Sequence, residues 1–264
     1  MKYDEINRTF DCNPTLTDNQ VLKFCRDGFL ILEGVVPDKI NRQTCDYLDG
    51  KIPANPSYIP KGFTKEDLDN IRNSHEPSSL ILEDWFLNQV LLNPELAGAL
   101  RSLLGKKVGL PVLLSKHSVE CPGPAQRWHQ DADCVFGPEV NYLEVFYYPQ
   151  ETPVEMGPTE ILPGSHIGVT SRENADKGIV TAASAGSFVI HSQSILHRRS
   201  ESTAKGIRHM LKYNYWRTVP PQRDWIIEPN FDFSTVEYGG HGVARYVAHM
   251  MYWLCGRGDE FRTI

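Results

Sequence analysis

The pattern of apolar residues changes at about residue 108, and this change constrains the fold of the 264-residue chain more than any other feature. Before this point, apolar residues recur mainly at helical spacing. After it, short apolar runs alternate with turns that contain Pro or Gly, which is the spacing of an antiparallel sandwich or barrel. Chains of this length often fold as one domain. We therefore predict a single domain with a β core and flanking helices.

Helix start and stop signals organise the first part of the chain, about residues 1–107. Three helices are predicted. Their N-termini are marked by a capping box, a proline and an asparagine, and their C-termini by polar residues or glycine. Their predicted limits are Thr17/Gln20 to Asp27-Gly28, Pro37 to about Leu48, and Asn93-Pro94 to Gly105. The apolar run 29–32, between the first two helices, is a predicted strand. The polar, proline-containing segment 51–62, after the second helix, is a predicted loop.

The second part of the chain, about residues 108–218, carries the predicted β core. Its strand candidates are 112–119, 143–148, 160–162, 187–191 and 209–217, and its turn signals are Pro122-Gly123-Pro124, Gly157-Pro158, Pro163-Gly164 and Gly186. An extension, 219–264, follows this core, and within it residues 241–255 have the apolar spacing of a helix. The apolar face of that helix is formed by Val243, Val247, Met250, Met251 and Leu254.

Charge and cysteine usage narrow the range of partners and compartments. The chain has 27 Lys and Arg against 33 Asp and Glu, a net charge of −6, and its lack of a long basic run argues against nucleic acid or an anionic membrane as a partner. No apolar signal segment opens the chain, and no apolar run is long enough to span a bilayer. The six cysteines form no CxxC pair, so we expect free thiols in a cytoplasmic protein.

A metal-site candidate lies at His129-Gln130-Asp131, the one His-x-Asp/Glu triplet in the sequence. Residues i and i+2 of an extended segment point to the same face, so His129 and Asp131 can bind one ion together. A histidine from a distant strand would complete a two-histidine, one-carboxylate set, which suits Fe(II) and leaves positions open. His197 is the candidate for this third ligand, and His191 is its rival.

Arg208 follows His197 by 11 residues and opens the next predicted strand. Its planar guanidinium can hold a carboxylate with two parallel hydrogen bonds. The sequence therefore contains a potential carboxylate clamp shortly after the third candidate metal ligand.

As an ordered set, these motifs resemble the phytanoyl-CoA dioxygenase-like family. The matching residues are Trp128-His129-Gln130-Asp131, the run GPTEILPGSH at 157–166, His197, Arg208, and the opening helix-strand phrase at 24–32. The resemblance covers about residues 18–217. It implies a double-stranded β-helix, the jelly roll of cupin-like proteins, and an oxygenase that uses Fe(II), 2-oxoglutarate and O2 on a small-molecule substrate.

The same resemblance implies roles for individual residues. His129, Asp131 and His197 would bind the iron, Arg208 would bind the distal carboxylate of 2-oxoglutarate, and Gln126 and Thr159 would contact this cosubstrate. Related halogenases lack the carboxylate ligand, so the presence of Asp131 implies hydroxylation or another oxidation such as desaturation.

The substrate stays open at this point. Arg198-Arg199-Ser200 stands where family members often have a small Gly-Ser-like stretch, and these arginines either narrow the pocket or recognise an anionic substrate. Neighbours on an extended segment point to opposite faces, so at most one arginine reaches the cavity, and Arg199 shares the parity of His197. A non-catalytic jelly roll that binds a small molecule and a cosubstrate-independent cupin-like enzyme are the alternative functions.

Overall fold

Two antiparallel sheets form the centre of the protein. A computed structural model describes residues 1–51, 64, 79–131, 134–168, 177–222 and 241–258. In the main sheet the strand order is β1-β2-β4-β11-β6-β9-β3, and β5 also pairs with β11. These strands are β1 (Lys2–Asp4), β2 (Thr9–Asp11), β3 (Phe29–Leu32), β4 (Val108–Gly109), β5 (Ser115–Gly123), β6 (Tyr142–Tyr148), β9 (Ser187–Ser192) and β11 (Ser202–Trp216).

The minor sheet lies across the core from the main sheet and has the order β10-β7-β8. Its strands are β7 (Thr159–Ile161), β8 (Ile179–Val180) and β10 (His197–Arg199). An antiparallel bridge joins His129 to His197, so the segment around His129 extends this sheet beyond β10. Together the two sheets form the predicted jelly roll.

Helices cover the outer face of the main sheet. The helices are α1 (Asp18–Asp27), α2 (Asp38–Leu48), α3 (Asp84–Phe86, continued by a π-helical turn at Leu87–Leu91), α4 (Pro94–Leu104) and α5 (His241–Leu254), with short 3-10 turns at Ser79–Leu82, Val154–Met156 and Ser165–Ile167. Leu22 and Leu100 from the helices share one buried cluster with Val145 and Ile190 from the sheet.

A second apolar cluster fills the space between the two sheets. Side chains alternate along β6, so Phe146 and Tyr148 point inward while Val145 points toward the helices. Phe146 and Tyr148 pack with Ile161 of the minor sheet and Met210 of β11. The side chains that can bind a metal ion or a carboxylate lie in this inner space.

Most helix limits agree with the sequence signals. The Thr17/Gln20 capping box is formed at α1, and Gly28 ends that helix in the left-handed region with φ of 82°. Asn93 caps α4 by accepting from the backbone N–H groups of Glu95 and Leu96. Pro37 is the N-cap of α2 and not part of its first turn.

The prediction for the strand at 112–119 was displaced by several residues, because β5 spans Ser115–Gly123. The predicted turn at Pro122-Gly123-Pro124 was therefore wrong for its first two residues, which lie in β5. Among the described strands β5 pairs with β11 alone, so Pro122, which has no N–H, lies in an edge strand where no second partner requires one.

Arg208 does not open a strand, as the sequence pattern suggested. The observed β11 begins at Ser202, and Arg208 lies well inside it, opposite Val119. The pairing register shifts between Ser202 and Gly206, and this irregular, polar start conceals the first part of the strand in the sequence.

Short strands account for the remaining differences. The strands β1, β2, β4 and β8 have two or three residues each, too few for a periodic signal. The helix expected at 241–255 is confirmed as His241–Leu254, with Val247, Met250, Met251 and Leu254 buried. The loop predicted at 51–62 lies, except for its first residue, outside the described residues. Within the described part of the chain, no helix has the length and apolarity needed to span a bilayer.

Candidate metal centre and cosubstrate site

The structure brings His129, Asp131 and His197 together between the two sheets. One potential ligand atom from each residue lies within 4.8 Å of the others. His129 and His197 are joined by reciprocal backbone hydrogen bonds of 3.0 and 2.9 Å, so the β bridge fixes the spacing of their rings. Gln130 points away and donates to the Ser194 carbonyl at 2.7 Å, which keeps its two neighbours on the inner face.

Both histidines are oriented by the same device. The Nδ1 of His129 donates to the carbonyl of Arg127 at 3.0 Å, and the Nδ1 of His197 donates to the carbonyl of Ile195 at 3.1 Å. Each Nδ1 therefore carries the ring proton and donates it to the backbone carbonyl two residues earlier. This leaves each Nε2 as the free lone pair, which is the tautomer that a metal ligand needs.

Burial keeps His197 neutral near physiological pH. It lowers the pKa of His197 to about 4, and although the Asp131 charge acts in the opposite direction, the neighbouring His129 lowers this pKa further. A neutral imidazole has a lone pair available without loss of a proton, so the ring is ready to accept a cation.

Lys212 and Glu144 flank the carboxylate of Asp131, and the sequence interpretation did not include them. The Lys212 Nζ lies 2.5 Å from Asp131 Oδ2 and 3.1 Å from Glu144 Oε1. Burial alone would raise the pKa of Asp131, but a hydrogen bond with Glu144 and the charge of Lys212 hold it below its usual range. Burial raises the pKa of Glu144 to about 8. Asp131 is therefore the charged member of the carboxylate pair.

Arg208 is a buried cation on the inner face of β11. Its side chain lies on the same face of β11 as Lys212, its residue is 3% exposed, and its Nε and Nη1 have no hydrogen-bond partner among the described residues. Burial lowers its pKa, and Arg199 contributes in the same direction as a like charge. Buried donors of a charged group are rarely left unpaired, so this guanidinium is prepared for an anion.

Thr159 lies in the same region as Arg208, whereas Gln126 is exposed. Thr159 is buried, and its hydroxyl is 2.7 Å from the Tyr148 hydroxyl, which is itself an electrostatic neighbour of Arg208. Gln126 accepts from the backbone N–H of Arg199 through its side-chain oxygen. The structure thus places Thr159 inside the core and Gln126 at its rim.

The two arginines after His197 point to opposite faces, as the parity of the strand predicts. Arg198 lies outside, 2.7 Å from Glu160 and stacked 4.6 Å from the Trp128 ring. Arg199 shares the face of His197 and donates to the carbonyl of Pro124 at 2.8 Å. Neither arginine lies in bulk solvent, because both are half-buried and paired.

His191 and His166 stay outside the ligand set. His191 is fully buried behind His197, with ring centroids 5.4 Å apart, and its Nε2 lies 3.7 Å from Glu144. His166 donates through Nε2 to the carbonyl of Cys25 at the end of α1, which agrees with a structural role. The six cysteines are free thiols.

Comparison with known proteins decides the family. A sequence profile described as phytanoyl-CoA dioxygenase (PhyH) matches residues 24–210, a span that contains the triad, Thr159 and Arg208. The chain belongs to the phytanoyl-CoA dioxygenase family. This family member is therefore a non-haem iron, 2-oxoglutarate-dependent oxygenase whose cofactor is Fe(II) and whose cosubstrates are 2-oxoglutarate and O2. No curated protein sequence matches it at a significant level.

Solved structures share the fold of this phytanoyl-CoA dioxygenase family member at low sequence identity. CytC3 with Fe(II) and alpha-ketoglutarate is 16% identical over 78% of this chain and 79% of that chain, with a TM-score of 0.59. EctD from S. alaskensis with bound Fe is 15% identical over 79% of each chain, with a TM-score of 0.58. HygX from Streptomyces hygroscopicus with nickel and 2-oxoglutarate is 15% identical over 78% of this chain and 88% of that chain, with a TM-score of 0.56.

The residues of the inner space fit the cofactor and the cosubstrate of the family. Two imidazoles and one carboxylate form the donor set that suits Fe(II). The buried Nε and Nη1 of Arg208, which have no partner among the described residues, can donate to the far carboxylate of a dicarboxylic acid such as 2-oxoglutarate. The jelly-roll fold is confirmed by these comparisons, as is the oxygenase class.

Proposed function

We propose that this protein is a dioxygenase that hydroxylates an unactivated C–H bond of a small organic substrate and releases succinate and CO2. The observation that carries the proposal is the position of Arg208. This unpaired cation lies on the inner face of β11, the face that also presents Lys212 to Asp131. A carboxylate clamp and a potential metal centre therefore share one cavity wall.

In this proposal His129, Asp131 and His197 hold the Fe(II), and Arg208 holds the distal carboxylate of 2-oxoglutarate, with Thr159 beside it. When bound, the iron and the 2-oxoglutarate supply the oxidising chemistry that activates O2. Gln126 contributes from the rim, where its side-chain oxygen already accepts from the backbone N–H of Arg199.

The protein's own part is to orient groups and to exclude water. The Nδ1 hydrogen bonds of His129 and His197 fix both rings, and Lys212 orients the carboxylate of Asp131 through Oδ2. The apolar cluster that includes Phe146 and Ile161 keeps the floor of the site dry. A dry, preorganised site protects reactive chemistry from side reactions and selects one C–H bond by position.

A cosubstrate-independent cupin-like enzyme is the alternative, and Arg208 argues against it. Without a dicarboxylic acid, the protein would carry a buried guanidinium with two unpaired nitrogens. Leaving buried donors unsatisfied costs about 1–3 kcal/mol, and more for a charged group. A non-catalytic small-molecule carrier has no need of the complete His129, Asp131 and His197 set that accompanies this guanidinium.

The test measures metal binding and 2-oxoglutarate turnover in parallel. The wild-type protein should bind one Fe(II) per chain and form succinate from 2-oxoglutarate, whereas His129→Ala, Asp131→Ala and His197→Ala should each lose most of both properties. His209→Gln is the matched control, because His209 points to the opposite face of β11, where it pairs with Ser118 and Asp49. Iron binding and succinate formation that survive in Asp131→Ala would refute the assignment.

A further inference from the structure

Side chains on the inner face of β11 divide the cavity into two ends. Alternation along the strand places Arg208, Lys212, Asn214 and Trp216 on this face, and Lys212 marks the level of the candidate metal centre through its contact with Asp131. At about 3.3 Å per residue, Arg208 and Trp216 lie about 13 Å from Lys212 in opposite directions. The end near Asn214 and Trp216 is thus separate from the carboxylate clamp.

A cavity of about 190 Å³ occupies this second end. Its wall includes Lys212, so the cavity reaches the group that contacts Asp131. The other residues of the wall are Val112, Leu113, Ser115, Tyr142, Tyr213, Asn214 and Trp216. The lining is thus mainly apolar and aromatic, with few polar groups, as is usual for a small-molecule site.

The described lining of this cavity offers no free cation to an anionic ligand. Lys212 is the one charged residue among the described residues of this wall, and Asp131 and Glu144 already bind its ammonium at 2.5 and 3.1 Å. A carboxylate or phosphate placed here would therefore lose its hydration without meeting a free cation among the described residues of this wall.

Asn214 supplies the specific polar contact. Its side chain hydrogen-bonds with Tyr142, while its Oδ1 is buried and has no partner among the described residues. An unpaired carbonyl oxygen in a ligand-sized cavity requires a donor, such as a hydroxyl or an N–H group.

Trp216 provides a fixed flat wall. It pairs in register with Gly109 of β4, and a Cβ at Gly109 would come within 2.3 Å of the indole ring. The ring therefore lies directly on the glycine backbone and has little freedom to move. A flat, immobile indole favours a ligand with a ring or another compact apolar body.

From these contacts we infer that the substrate is an uncharged molecule with an apolar, ring-sized body whose hydroxyl or N–H group donates to Asn214 Oδ1. This inference rests on the proposed function, because it assigns the cavity beside Asp131 to the substrate of that reaction. It makes Asn214 a specificity-determining residue, and it favours an uncharged substrate over the anionic one that the arginines after His197 had suggested.

The experiment uses benzyl alcohol, toluene and benzoate, three probes that share one ring and differ in the substituent. Binding is measured by ligand-observed NMR on protein loaded with Zn(II) and 2-oxoglutarate, so no turnover occurs. Benzyl alcohol should bind at least about fivefold more tightly than toluene or benzoate. In Asn214→Leu this preference for benzyl alcohol over toluene should disappear, while the 2-oxoglutarate affinity stays at the wild-type value.

Asn141→Leu is the matched control, because Asn141 lines a neighbouring cavity of about 400 Å³ that shares Tyr142 with the first. Binding of benzoate as tight as that of benzyl alcohol, an unchanged preference in Asn214→Leu, or no binding of any probe would each overturn the inference. Loss of the preference in Asn141→Leu would overturn it as well. Failure of the proposed function would appear separately, as wild-type protein that does not bind Zn(II) and 2-oxoglutarate.

Discussion

At the scale of single residues, three polar side chains with different surroundings define the site. The half-buried Asp131 has Lys212 and Glu144 beside it, the buried His197 has a backbone carbonyl on its Nδ1, and the buried Arg208 has two nitrogens without a partner among the described residues. A chain tolerates such groups in its interior only when they are paired or when a ligand completes them. Removal of one partner should therefore have a measurable cost, either in ligand affinity or in stability.

Arg208→Ala should weaken 2-oxoglutarate binding strongly and leave iron binding intact. Truncating one partner of a buried, hydrogen-bonded charge pair costs about 2–5 kcal/mol, which corresponds to about 30-fold or more in the dissociation constant. Calorimetric titration of the metal-loaded protein with 2-oxoglutarate measures this change. Arg198→Ala is the control, since Arg198 lies on the outer face with Glu160. Equal affinities in wild type and Arg208→Ala would remove Arg208 from the cosubstrate site.

Lys212→Met should lower the free energy of unfolding of the metal-free protein by about 1–3 kcal/mol, because it leaves the buried Glu144 and the nearby Asp131 without their shared cation. Adding Asp131→Asn should restore part of this loss, because the carboxylate charge that Lys212 balances is then removed. Urea denaturation measures both effects. Lys205→Met, an exposed position on the same strand, should change stability little. Additive losses in the double variant would contradict this account of the cluster.

At the scale of elements, the end of α1 supports the strand that carries His197. His166 donates to the carbonyl of Cys25 in α1, and the preceding Ser165 accepts through its hydroxyl oxygen from the backbone N–H of Leu196 at 2.7 Å. The turn at 165–167 thus connects the helix terminus to β10. Gly28 allows this contact, because a Cβ there would lie 2.4 Å from His166 Nδ1.

Gly28→Ala should therefore destabilise the protein more than Gly50→Ala. Both glycines have positive φ, 82° and 75°, but a Cβ at Gly50 has nothing within 4 Å. The left-handed conformation alone costs about 1–2 kcal/mol for alanine, and overpacking adds about 1–3 kcal/mol at Gly28. Chemical denaturation of the two variants separates these contributions, and equal losses of stability would show that the contact with His166 is unimportant.

The sequence predicted the elements that carry strong local signals and missed those that depend on distant pairing. The capping box of α1 and the Asn93 cap of α4 are local, so both were correct. The start of β11 and the extent of β5 are set by pairing between distant segments, so both were displaced. Lys212 was overlooked although it shares the parity of Arg208 in a predicted strand, and a charge on the inner face of an apolar strand was the available signal.

At the scale of the whole molecule, the folded state excludes protons from buried histidines. Burial lowers the pKa of His166 from 6.5 to about 4, that of His197 to about 4 and that of His191 to about 3. The unfolded chain binds a proton at each of these rings below about pH 6.5 and the folded chain does not. Acidification from pH 6.5 toward 4 therefore favours unfolding through each histidine.

His166→Gln should make stability less dependent on pH in this range. The glutamine amide can still donate to the Cys25 carbonyl, but it does not titrate. Between pH 6.5 and 4.5, the unfolding free energy of the metal-free wild type should fall more steeply than that of the variant, by up to about 1.4 kcal/mol per pH unit. Urea denaturation across this range checks the slope, and parallel curves would show that His166 does not contribute.

The candidate site shows how far a sequence can specify function in this molecule. The His129-Gln130-Asp131 triplet, His197 and Arg208 were identified from motif order, and the fold brings the triad to within 4.8 Å between the sheets. The cavity near Asn214 and Trp216 could not be found in this way. Its walls come from three strands and from the segment before β5, and its key feature is an unpaired oxygen that becomes visible only after folding.

The proposal that 2-oxoglutarate binds an iron held by His129, Asp131 and His197 is tested most directly by an anaerobic titration. The Fe(II)-loaded protein is titrated with 2-oxoglutarate, and visible absorption is monitored. A charge-transfer band requires that the keto acid end of the cosubstrate binds the iron itself. We expect this band to saturate at one 2-oxoglutarate per chain in the wild type, to need a much higher concentration in Arg208→Ala, and to be absent in Asp131→Ala. A wild-type protein that takes up Fe(II) and shows no such band, or an Asp131→Ala protein that shows the wild-type band, would contradict the account.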